Sequence, residues 1–113
     1  MRIDRQKVYE KYDKHCAYCG ILLTEQQMQV DHIQPIIMGG GNDFENLNPS
    51  CRYCNNYKSH SSLETFRHYL YQMLNVKLNY LFRSKTKMQV ALNFGVVELS
   101  QWDGKFYFER SKK

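Results

Sequence analysis

Two C-x-x-C pairs constrain this chain more than any other feature of its sequence. Cys16 and Cys19 form the first pair, and Cys51 and Cys54 form the second. Pairs with this spacing can supply the four thiolates of a tetrahedral zinc site. Such a site needs no further ligand, so it leaves the aspartate–histidine dipeptide at 31–32 available for other chemistry. The sequence therefore predicts a structural metal kept apart from a reactive histidine.

The length and the N-terminus indicate where such a chain works. Its 113 residues suit one domain with a small core, which gains stability from a bound metal. Four of the first seven residues are charged, and no apolar run follows them, so the sequence predicts no signal peptide. No run of apolar residues approaches the length that a membrane-spanning helix needs. We expect a cytoplasmic protein of a bacterium or phage, where reducing conditions favour metal ligation over disulfides.

The charge is segregated along the chain. The formal net charge is +5, yet no Lys or Arg lies between Lys14 and Arg52, whereas residues 51–95 carry seven of them. An acidic centre suits a divalent cation, and a basic flank that includes Lys85 and Lys87 suits the phosphates of nucleic acid. An ordinary solvated helix face explains the basic flank as well. If the flank binds DNA, we expect affinity through phosphates with little sequence specificity.

The first half of the chain reads as short elements. Residues 4–14 predict a helix with Asp4 as N-cap, and residues 28–33 predict a strand. Residues 34–45 read as a loop because Pro35 opens it and three consecutive glycines follow.

The second half reads as helical and then as a hairpin. No Gly or Pro occurs from residue 50 to residue 94, and Ser61 with Glu64 fits a capping box. Apolar residues then repeat at helical spacing over 63–81, which predicts core packing or the face of a homodimer. The runs Val96-Val97-Glu98-Leu99 and Phe106-Tyr107-Phe108 flank Asp103-Gly104, a favoured tight turn, so residues 95–110 predict a hairpin with strands at 96–99 and 106–108.

The motifs together resemble the HNH endonuclease family in its zinc-containing ββα-metal form. The resemblance is strong over 16–58 and weaker over nearly the whole chain, where it follows small stand-alone members. Its elements, in order, are Cys16-x-x-Cys19, Val30-Asp31-His32-Ile33-x-Pro35, Gly39-Gly40, Asn46-Leu47, Cys51-x-x-Cys54 and Asn55-Asn56-x-Lys58.

The resemblance implies a fold class and a domain plan. The fold is α+β, with a treble-clef-like ββα-metal core around a four-cysteine zinc site, flanking helices and a C-terminal hairpin. The plan is a single nuclease domain over 1–113, with its motif core at 16–58, a helical extension at 61–94 and the hairpin at 95–110.

The resemblance also implies roles for individual residues. His32 is the general base that activates water against a phosphodiester of DNA, since imidazole titrates near neutrality. Asp31 and Asn55 hold one catalytic Mg²⁺ or Mn²⁺ through oxygen atoms. Asn46 fixes the loop that orients the catalytic histidine. Lys58 and Arg52 are candidates for phosphate contacts, although a lysine on a helix surface explains Lys58 almost as well.

Three other classes of protein share parts of this pattern. A zinc nucleoside deaminase needs H-x-E and P-C-x-x-C, but Ile33-Gln34 follows His32 and Ser50 separates Pro49 from Cys51. A C-x-x-C oxidoreductase needs a βαβ pattern, which is missing from this sequence. A catalytically silent treble-clef module that binds nucleic acid or protein, such as a phage-encoded inhibitor, shares the zinc and the basic helix. It has no need for Asp31, His32 and Asn55 together.

Overall fold

A two-stranded antiparallel hairpin followed by a helix forms the centre of the molecule. The computed structural model describes residues 2–74, 89–90, 93–94 and 103–110. The chain is α+β, as predicted. Its elements in order are α1 (Arg5–Glu10), β1 (Gln29–His32), 3₁₀ turns at Ile36–Met38 and Phe44–Asn46, β2 (Leu47–Ser50), α2 (Arg52–Lys58), α3 (Leu63–Leu74) and α4 (Tyr107–Arg110).

The hairpin register places the two motif segments side by side. In β1, Asp31 pairs with Asn48 and His32 pairs with Leu47 of β2. Pro49 is tolerated opposite Val30 because each strand of a two-stranded sheet is an edge strand. The strand predicted at 28–33 is therefore confirmed at Gln29–His32, and it ends at the dipeptide.

The helix starts show one confirmed cap and one wrong one. Asp4 caps α1 by accepting a hydrogen bond from the Lys7 amide at 3.2 Å. The helix stops at Glu10, short of the expected residue 14, because Asp13 and Lys14 adopt positive φ angles of 53° and 70°.

The capping box expected at Ser61 is wrong. Ser62 is the residue whose hydroxyl accepts from the Thr65 amide, at 3.1 Å, so α3 begins at Leu63. The Ser61 hydroxyl donates instead to the Lys58 carbonyl at 2.6 Å and closes the end of α2.

An aromatic cluster fills the core beneath the hairpin. The Tyr18 ring lies edge-on to Phe66 and Phe106, with centroids 5.3 and 5.2 Å away. Phe66 and Leu70 of α3 are 1% and 0% exposed. The apolar stripe of α3, where the structure describes its side chains, thus packs into the core of its own chain. Residues 75–81 of that stripe lie outside the described residues.

The C-terminal segment is helical where we expected a strand. The prediction of a strand at 106–108 is wrong, because Tyr107–Arg110 forms α4. The Glu109 carboxylate accepts from the Phe106 amide at 2.9 Å, and this local cap favours a helix over the β propensity of the aromatic residues. The expected first strand at 96–99 lies outside the described residues. Among the residues that the structure describes, no helix is long and apolar enough to cross a membrane.

Candidate metal centre and catalytic cleft

The four cysteines meet at one point. Their sulfur atoms all lie within 4.8 Å of one another, and those of Cys19 and Cys51 are 3.8 Å apart. A tetrahedral zinc with bonds of about 2.3 Å separates its sulfur ligands by about 3.8 Å. The predicted ligands are brought together with dimensions that fit a zinc ion.

Local backbone geometry prepares each C-x-x-C pair. In the first pair the Gly20 amide donates to the Cys16 carbonyl at 3.0 Å, and Gly20 has a φ of +86°. A Cβ at Gly20 would lie 2.6 Å from the Tyr107 ring, so only glycine fits. In the second pair Cys51 caps α2, because its sulfur accepts from the Cys54 amide at 3.3 Å.

The thiols compete for protons in this buried position. Burial acts to raise the pKa of Cys16, but hydrogen bonds from the three other thiols lower it well below its usual value. Hydrogen bonds to Cys16, Cys19 and Cys51 raise the pKa of Cys54 well above its usual value. A dication stabilises all four groups as thiolates, which removes the competition.

The Asp31 side chain is buried beneath the hairpin and contacts two other side chains, those of Tyr18 and Lys58. Asp31 is 4% exposed, and the Tyr18 hydroxyl donates to its Oδ2 atom. The Lys58 ammonium lies 3.2 Å from Oδ2 and 3.3 Å from Oδ1. Burial raises the pKa of Asp31, and the Tyr18 hydrogen bond and the Lys58 charge oppose that rise. The two partners hold the carboxylate in one orientation.

Lys58 corrects one expectation from the sequence. Its side chain is fully buried, and its ammonium also donates to the His32 carbonyl at 2.9 Å. The expected phosphate contact is wrong, because this ammonium is enclosed by the protein and bound to protein atoms. Lys58 instead connects α2 to both residues of the dipeptide.

His32 is the last residue of β1 and lines the cleft. Neighbouring strand residues point to opposite faces, so Asp31 and His32 can line one cavity only where the strand ends. The Nε2 atom of His32 lies 2.7 Å from Oδ1 of Asn42. An amide oxygen only accepts, so this contact places a proton on Nε2, and in the neutral imidazole the lone pair is then on Nδ1.

Asn46 and Asn55 take different positions around the cleft. The Asn46 side chain accepts from the Gln34 amide at 2.9 Å and donates to the Gln34 and Gly41 carbonyls at 3.1 and 2.9 Å. It therefore ties together the loop that follows His32. Asn55 lines the cleft, and its Nδ2 donates to Gln29 Oε1 at 2.5 Å. That bond fixes the nitrogen end of the amide and leaves its oxygen as the atom suited to a cation.

The cleft itself encloses about 630 Å³ between a polar and an apolar wall. Asp31, His32, Asn55 and His60 belong to the polar wall, and Ile36 and Ile37 belong to the apolar wall. The acidic, imidazole and amide groups of the motif thus share one open cavity, whereas the thiol cluster is mostly buried.

Sequence reasoning missed several contributors to this cleft. Gln29 carried a usable signal, since it lies two residues before Asp31 and so on the same strand face. His60 gave a weaker one, because a histidine in a polar segment at the start of a helix is usually solvated. The apolar wall and the contacts made by Tyr18 and Asn42 depend on the folded loop, and no pattern in the sequence indicates them.

The basic residues proposed for phosphate contact do not all surround the cleft. Arg52 lies beside the second C-x-x-C pair, with its guanidinium 5.0 Å from the Tyr53 ring centre. It lines a separate cavity of about 430 Å³. Lys85 and Lys87 lie outside the described residues.

Comparison with known proteins agrees with this geometry. Residues 16–61 match the family model described as HNH endonuclease. A similar solved structure is the Type II-C Cas9 enzyme from Actinomyces naeslundii, with a TM-score of 0.52 and 22% sequence identity. The match covers 80% of this chain and 11% of that one, so the chain spans about a tenth of the Cas9 length, and the likeness is one of fold. No curated protein matches the chain.

Proposed function

We propose that this chain is a metal-dependent DNA endonuclease that hydrolyses phosphodiester bonds, since its residues 16–61 match the HNH endonuclease family model. One observation carries the proposal. Asp31, His32 and Asn55 line a single open cleft beside a closed four-thiol cluster. A binding module needs the cluster, but it does not need a base and two oxygen ligands in one cavity.

The cleft residues suit a hard divalent cation. Asp31 and Asn55 would hold Mg²⁺ or Mn²⁺ through a carboxylate and an amide oxygen, which are the ligands these ions prefer. When bound, the cation stabilises negative charge on the scissile phosphate and on the leaving 3′ oxygen. Tyr18 and Lys58 keep the Asp31 carboxylate pointed for this task.

His32 provides the base. With Nε2–H donated to Asn42, the Nδ1 atom takes a proton from water as the water oxygen bonds to phosphorus. The bond from phosphorus to the 3′ oxygen breaks, and that oxygen takes up a proton from solvent. The products are a 5′-phosphate and a 3′-hydroxyl end. Asn46, by holding the loop, keeps Asn42 and His32 in register.

The zinc and the substrate contacts complete the proposal. Cys16, Cys19, Cys51 and Cys54 would hold zinc with no open position, so its role is structural. We propose duplex DNA as substrate, held with little sequence specificity by the basic residues Arg52, Lys85 and Lys87 in a bacterial or phage cytoplasm. A homodimer through 63–81 would need the part of that stripe beyond residue 74, since Phe66 and Leu70 are buried in their own chain.

One observation favours the alternative of a silent treble-clef module. The Asp31 carboxylate already has a buried cation beside it, which reduces its need for a metal. Such a module, for instance a phage-encoded inhibitor, would bind nucleic acid or protein without cutting.

Incubation with supercoiled plasmid separates the two functions. The zinc-loaded protein is mixed with plasmid in Mg²⁺, in Mn²⁺ and in EDTA, and the products are resolved on agarose. We expect nicked or linear DNA with either metal, none in EDTA, and recovery when excess Mg²⁺ is returned while zinc content is unchanged. Intact plasmid in all conditions, with shifted mobility, would establish the silent module instead.

A further inference from the structure

The apolar wall of the cleft has no task in the proposed hydrolysis. Ile36 and Ile37 line the same cavity as His32, yet they are 62% and 80% exposed. The volume of about 630 Å³ lies in the range of sites that hold drug-sized molecules, so it exceeds the needs of a phosphate and a cation. A larger part of the substrate can therefore enter.

The wall is held rigidly in this exposed position. The Met38 and Gly40 amides donate to the Pro35 carbonyl at 2.9 and 3.0 Å, and the Gln34 side chain donates to the Met38 carbonyl at 2.7 Å. A Cβ at Gly40 would lie 1.8 Å from the Gln34 carbonyl oxygen, so the turn requires glycine there. A preorganised apolar surface loses little entropy when it binds a partner.

The chemistry of the loop selects one part of a nucleic acid. Residues 33–42 carry no charged side chain, so the wall neither attracts nor repels phosphate. It matches the flat apolar faces of a base. In a continuous duplex, neighbouring bases cover those faces, and only a nucleotide turned out of the stack exposes them.

We propose that Ile36 and Ile37 seat the base of a nucleotide next to the scissile phosphate, turned out of the helical stack. This inference rests on the nuclease function proposed above, because it places that phosphate between Asp31 and His32 in the same cavity. Unstacking costs least where a base is already unpaired. The preferred substrate is therefore DNA with unpaired nucleotides at the cleavage site rather than a continuous duplex.

The first experiment compares cleavage of two labelled oligonucleotide duplexes in Mg²⁺, one continuous and one with three unpaired nucleotides at its centre. We expect kcat/KM to be about tenfold higher for the interrupted duplex. The double variant Ile36→Ser with Ile37→Ser should lose that preference, chiefly through a lower kcat/KM for the interrupted duplex. Leu22→Ser is the matched control, since Leu22 is 68% exposed and lies outside the cleft lining.

The second experiment reads seating without cleavage. The His32→Ala protein is titrated in Mg²⁺ onto the interrupted duplex carrying 2-aminopurine, whose fluorescence rises when the base leaves the stack. We expect a rise that the Ile36→Ser and Ile37→Ser pair abolishes. If wild type cuts DNA but the pair retains the preference, the inference fails and the nuclease function stands. If nothing is cut while the fluorescence rise depends on the pair, the nuclease function fails and the seating stands.

Discussion

The thiol cluster and the cleft are neighbours on one helix, yet they differ in almost every physical property. The cluster offers four identical soft ligands, and Cys16 and Cys54 are fully buried. The cleft offers a carboxylate, an amide and an imidazole in an open cavity. Because α2 rotates by about 100° per residue, Cys54 faces the cluster and Asn55 faces the cleft. The contrast teaches that consecutive residues can face two different environments, a buried thiol cluster and an open polar cleft.

The largest expected effect is on the cluster side. Cys51→Ser removes one of the four proposed zinc ligands, while a serine hydroxyl can still cap α2, so we expect loss of zinc and unfolding of much of 16–58. Structural zinc contributes about 10–16 kcal/mol in small zinc domains. Metal analysis and far-UV circular dichroism measure both losses. If natively purified, reduced wild-type protein is folded without zinc, the four cysteines do not form a structural zinc site.

The next effect is on the cleft side and should leave the fold intact. His32→Ala should lower the cleavage rate by about 10²–10⁴, the contribution of a general base, with zinc content and DNA affinity near wild type. Plasmid nicking rates measure the change. His68→Ala is a matched control, because His68 is an exposed histidine of α3 outside the cleft lining. Equal rates for His32→Ala and wild type would remove His32 from the active site.

A third change tests the residue that links helix and hairpin. Lys58→Met leaves the buried Asp31 carboxylate without its cation, so we expect a loss of about 3 kcal/mol in the free energy of unfolding. Urea titration of zinc-loaded protein measures it. Adding Asp31→Asn to the same chain should restore most of the stability, since the unpaired charge is gone. A double variant no more stable than Lys58→Met would show that packing, not charge, sets the loss.

The smallest expected effect concerns the hydrogen bond between Asn55 and Gln29, which orients a proposed metal ligand of the cleft. Gln29→Ala frees the Asn55 amide to rotate, so the Mg²⁺ concentration for half-maximal cleavage should rise about tenfold. Zinc content should not change. Gln26→Ala is the control, because Gln26 lines the same neighbouring cavity as Gln29, whereas Gln29 is the residue that bonds Asn55. An unchanged Mg²⁺ requirement would mean that the Gln29 hydrogen bond does not orient the ligand.

These residues also show what a sequence alone can predict here. Cysteine spacing predicted the cluster, and a short apolar alternation predicted the strand that carries Asp31 and His32. The ion pair from Lys58 to Asp31 joins residues 27 positions apart, and only the fold brings them together. At the C-terminus, the cap from Glu109 overrode the strand preference of its aromatic neighbours. Contacts that are distant in sequence, or that depend on one competing hydrogen bond, give no periodic signal.

The contacts of Tyr18 determine how much of the chain must be transferred if the motif is grafted onto another protein. The Tyr18 hydroxyl contacts Asp31, while its ring packs against Phe66 and Phe106, both outside the family match that ends at residue 61. A graft of residues 16–61 onto another scaffold would carry every motif residue but leave that ring without its packing surface. Asp31 would then lose a fixed donor. The unit that can be transplanted with its chemistry is therefore larger than the motif that identifies it, and it includes α3 and the segment from 103 to 110.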